Sequence, residues 1–72
     1  MNNDLRQLRL FLLEIDSLIH EGYLYTFASD PMGGAKVAKL HHATNGNIMV
    51  VTLKNQTITL KKNEKIIKQY EV

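Results

Sequence analysis

The chain has 72 residues, 44% of them apolar and 22% charged, with 9 Lys+Arg against 7 Asp+Glu for a formal charge of +2. That length supports one small domain. The apolar fraction and low net charge exclude a disordered tail, and the absence of Cys excludes both a disulfide framework and a thiolate zinc site.

The first element in chain order is an amphipathic helix over residues 4–20. Leu5, Leu8, Leu12, Ile15 and Ile19 recur at three-and-four spacing, and Phe11 and Leu18 widen the stripe. All seven fall within an arc of about 140°, wide enough for a helix lying on a core. Asp4 with Gln7 three residues on reads as a capping pattern, and Gly22 is placed to end the helix in a left-handed conformation. Leu10 and Leu13 fall off the stripe, three apart and therefore neighbours, which marks a second contact.

Strand signals follow. Tyr23, Tyr25 and Phe27 alternate on one side of a first strand over residues 23–28. Ser29 to Gly34, with Asp30-Pro31 and Gly33-Gly34, is a loop by turn chemistry. Residues 36–44 and 47–53 read as strands joined at Asn45-Gly46, the dipeptide best suited to a tight hairpin turn. Further turns at Lys54-Asn55-Gln56 and Lys62-Asn63 set off strands over 57–61 and 65–71. The last segment carries Ile66, Lys68, Tyr70 and Val72 as one strand face; its density of β-branched and aromatic residues favours a strand over a short helix. The expected fold is α+β: the N-terminal amphipathic helix packed on a four- to five-stranded antiparallel meander, either open or curled into a small barrel.

Ile48 to Leu53 is apolar on both faces, with Ile48, Val50 and Thr52 on one and Met49, Val51 and Leu53 on the other. A lone helix covers one face of a sheet, so barrel closure, a second copy or a partner must complete the structure. The expected function is that of a small non-enzymatic binding or regulatory protein, acting by self-association as a dimer or by binding another protein. Its contact surface would draw on Leu10, Leu13, Tyr23, Tyr25, Phe27 and the loop-tip Met32, with one set from Met49, Val51 and Leu53.

Charge supplies the alternative. Residues 1–35 balance to −3 and residues 36–72 to +5. Lys54, Lys61, Lys62, Lys65 and Lys68, with Tyr70 nearby, would neutralise phosphates and stack a base if a hairpin gathers them on one face, making a nucleic-acid-binding domain. Against this stand the small net charge, the absence of Trp and the lack of any Arg after Arg9. A third reading is a ribonuclease-like enzyme with His41 or His42 as general base and Lys36 or Lys39 beside it. Adjacent strand residues point to opposite faces, so the two His cannot share one metal. The segment Asp30 to Lys36 lacks the Ser/Thr and the following helix of a phosphate-binding loop. Cofactors and metals are not expected. The longest apolar run, Ile48 to Val51, is far short of the roughly 20 residues of a membrane span, and the N-terminus has no basic leader. A cytoplasmic protein without a membrane partner is therefore expected.

Overall fold

The computed structural model describes residues 3–29 and 36–72, with side chains over residues 5–26 and 36–72. Helix α1 runs Asn3–His20 and is followed by strands β1 (Tyr23–Ser29), β2 (Lys36–His42), β3 (Ile48–Lys54), β4 (Thr57–Lys62) and β5 (Lys65–Glu71). The strands pair antiparallel in sequence order, β1-β2-β3-β4-β5. The sheet has two edges, β1 and β5, and does not close on itself. The helix-on-meander expectation is met; the barrel alternative is not.

The core lies between α1 and one sheet face. Phe11, Ile15 and Leu18 descend from the helix onto Tyr23, Ala38, Leu40, Met49, Val51, Leu53, Ile58 and Leu60. Leu40, Val51 and Ile58 lose all contact with solvent. Met49, Val51 and Leu53 therefore spend their apolar surface on the chain's own helix. The helix ends as its sequence requires: Gly22 has φ 103 and donates its N–H to the Ile19 carbonyl at 3.0 Å.

The turns differ from expectation in one respect. Asn45-Gly46 does not form the tight turn with two positive φ angles; only Gly46, at φ 77, is left-handed. Strand β2 stops at His42, and His42 N–H closes a wider loop on the Asn47 carbonyl at 2.8 Å. The cause is His42, whose ring is engaged by the loop backbone. Among the described residues, tight turns with two positive φ angles form instead at Asn55-Gln56 (φ 49 and 64) and Asn63-Glu64 (φ 50 and 72).

Two bulges set the faces of the edge strands. In β1 the register steps over Thr26, whose hydroxyl donates to the Lys39 carbonyl at 2.9 Å. In β5 it steps over Ile67, since Leu60 opposes Lys68 and Lys61 opposes Ile66. The extra residue reverses the alternation. Ile66 thus sits on the open sheet face with Lys61, while Lys68, Tyr70 and Val72 keep the helix side; the four do not share one face as their spacing suggests.

Candidate functional site

The helix shows what the fold leaves uncovered. Its apolar stripe is split lengthwise. Phe11, Ile15 and Leu18 are buried, whereas Leu5 (69% exposed), Leu12 (52%) and Ile19 (47%) face outward. The expectation that all seven stripe residues enter the core fails for these three. The reason is an anchor on the other flank. The Tyr70 hydroxyl donates to Glu14 Oε2 at 2.6 Å, and Lys68 Nζ donates to the same oxygen at 3.1 Å. Tethering Glu14 to β5 rotates the helix that way. Leu10 is then drawn into partial burial against the core, and the opposite flank turns into solvent. Lys68 Nζ also lies 5.4 Å from the Tyr70 ring centroid. Burial, then the hydrogen bond to Glu14, then the carboxylate charge push the Tyr70 hydroxyl up to about 12 from its ordinary 10.0.

The residues expected to make a contact surface are dispersed. Tyr23 is in the core, its ring edge-on to His42 at 4.9 Å between centroids. Leu10 is partly buried. Leu13 and Tyr25 are exposed. Phe27 stands opposite Lys39 in the register, and its side chain is outside the described residues, as are residues 30–35 with Met32 and the expected turn. Sequence periodicity treated Leu5, Leu12 and Ile19 as core, although their strict seven-residue spacing could have marked a seam.

The lysine set is divided between the two faces. Lys54 and Lys61 belong to the open face, near Thr52, Thr57 and Thr59. Lys62, Lys65 and Lys68 fall on the helix side, with Lys62 and Lys65 directly opposed and Lys68 committed to Glu14. Tyr70 is held by the same carboxylate and packs half-buried against the core, with Lys68 Nζ near its ring. Lys39 lies beside Val50 and Lys61 on the open face, so three of the chain's lysines do share it.

The histidines take separate roles. His42 Nδ1 accepts from the N–H groups of Thr44 (3.2 Å) and Asn45 (3.3 Å). That pattern assigns the proton to Nε2, which donates to the Glu21 carbonyl at 3.0 Å. With both ring nitrogens engaged, His42 ties the helix C-terminus to the β2–β3 loop and has no lone pair free for a general base. His41 is exposed and opposes Ile48 and Leu24 on the other face. No group of three or more His, Asp or Glu among the described residues could hold a metal ion, and no described helix is long and apolar enough to cross a membrane. Comparison with protein-family models, with curated proteins and with solved structures finds no match for this chain.

Proposed function

We propose that this protein is a non-enzymatic binding protein that works by associating with itself, its contact surface being the outward flank of α1. The observation that carries this reading is the exposure of Leu5, Leu12 and Ile19, a row of large aliphatic side chains on one rigid element. Scattered exposed apolar residues are ordinary on a monomer, but a continuous row along a helix is the pattern of a contact surface. The engagement of both His42 nitrogens supports a structural rather than catalytic part for that residue.

Light scattering during size exclusion, repeated over a hundredfold range of concentration, tests this. The expected result is a mass that rises from 8.2 kDa toward twice that value. A mass fixed at one chain over the whole range overturns the proposal.

A second reading, binding of single-stranded nucleic acid on the open sheet face, is favoured by the grouping of Lys39, Lys54 and Lys61 with Thr52, Thr57 and Thr59. It predicts retention of a mixed-sequence RNA at low salt that weakens steeply as salt rises and is lost in Lys61→Glu. Unchanged retention in that variant would end it.

A further inference from the structure

Resting on the self-association reading, we infer that two copies pair through antiparallel α1 helices on a two-fold axis at Leu12, with Arg9 of each copy set against Asp16 of the other. Leu5, Leu12 and Ile19 are seven apart, so at 100° per residue they drift by only about 40° and form one seam some 21 Å long. Leu8 and Ile15 follow at heptad spacing along its inner edge, partly buried and buried against the sheet. Arg9 and Asp16, also seven apart, flank its outer edge and are both exposed.

A heptad seam of large aliphatic residues on an α-helix is matched by another such helix, and this chain offers only α1 among its described residues. A second copy is therefore the occupant. Charge decides the orientation. Parallel two-fold pairing would turn the Arg9–Asp16 flanks of the two helices to opposite sides of the seam and leave these charges unmatched. Antiparallel pairing centred on Leu12 sets Leu5 against the partner's Ile19 and Arg9 against the partner's Asp16, with Leu8 at the inner edge of the seam. Both matches share one centre to within about half a residue, under 1 Å of helix rise. Two-fold symmetry repeats each contact, as a closed dimer requires. Arg9 has no ion-pair partner among the described residues, and Asp16 has only His20, at 3.6 Å on its own helix. The pairing thus gives both exposed charges a partner without breaking any contact of the fold.

The test uses the full chain. Arg9→Asp and Asp16→Arg each place like charges across the dimer twice, so each is expected to weaken self-association by about tenfold at low salt, and the double variant to return within about threefold of the parent. Both positions are exposed, and circular dichroism checks that the fold is kept. The lack of native Cys gives a clean second measurement. An equimolar mixture of Leu5→Cys and Ile19→Cys chains is expected to oxidise chiefly to the mixed disulfide. Same-variant disulfides, or a dimer indifferent to the charge reversals, would overturn the antiparallel helix pairing while leaving self-association intact. A parent protein that stays a single chain at every concentration would overturn both.

Discussion

Single residues carry more of this fold than their exposure suggests. Glu14 is the clearest case: one carboxylate oxygen receives both the Tyr70 hydroxyl and the Lys68 ammonium, and so fixes the rotation of α1. Because folding holds the Tyr70 proton up to about pH 12 against an ordinary 10.0, the unfolded chain ionises first as pH rises. The resulting stabilisation is complete below pH 10 and is lost between 10 and about 12. Tyrosinate absorbance should therefore show a phase near pH 12, and Tyr70→Phe should remove it; its persistence in the variant would refute the assignment. Gly22 is the second case. A Cβ there would meet His42 Nε2 at 2.8 Å, on a backbone already at φ 103. Gly22→Ala should cost about 1–3 kcal/mol in urea unfolding, through strain and through the displaced His42 hydrogen bond. A cost below about 0.5 kcal/mol would mean that the ring moves aside freely.

At the scale of elements, periodicity made the helix and most strands readable, because apolar spacing of three and four or of two is a property of the local chain. What it could not supply was the match between elements. The bulges at Thr26 and Ile67 exist only relative to a partner strand, so alternation along β5 misplaced Ile66. The division of the helix stripe depends on Glu14 meeting Tyr70, 56 positions away in the chain. The apolar arc identifies a helix with a sticky side; it does not say which half of that side the sheet takes. The lysines illustrate the same limit, since a hairpin deals successive side chains to opposite faces and separates Lys61 from Lys62. Turn chemistry was legible in kind but not in rank: Asn45-Gly46 yielded to the His42 hydrogen bonds, and Asn63-Glu64 took the tight turn. Glu64 there holds φ 72, a conformation that favours glycine. Glu64→Gly should raise stability by about 0.4–1 kcal/mol, read as a higher urea midpoint at unchanged slope. A lower midpoint would show that Glu64 contributes an interaction outweighing its backbone strain.

For the whole molecule, one helix and one sheet face make a single thin core. Such a domain buries only about 60% of the surface of its unfolded chain. The opposite sheet face stays open, with Val50 only half-buried between Lys39 and Lys61 and Thr52 half-buried between Val37 and Thr59. The expectation that something beyond one helix must complete the structure began from the two-faced apolar pattern of β3. The central strand's Met49, Val51 and Leu53 are satisfied within the chain, and the surplus has shifted to the helix flank at Leu5, Leu12 and Ile19. Packing that flank against a second copy would link folding to concentration, because a dimer that forms only from folded chains draws the folding equilibrium with it. Each tenfold rise in protein should then raise the melting temperature by about 3–6 °C. Leu12→Lys, an exposed substitution at the centre of the row, should abolish that dependence while leaving the melting temperature at the lowest concentrations nearly unchanged. If Leu12→Lys instead lowers it equally at all concentrations, Leu12 serves the protomer's own packing and the flank is not where a second chain adds its support.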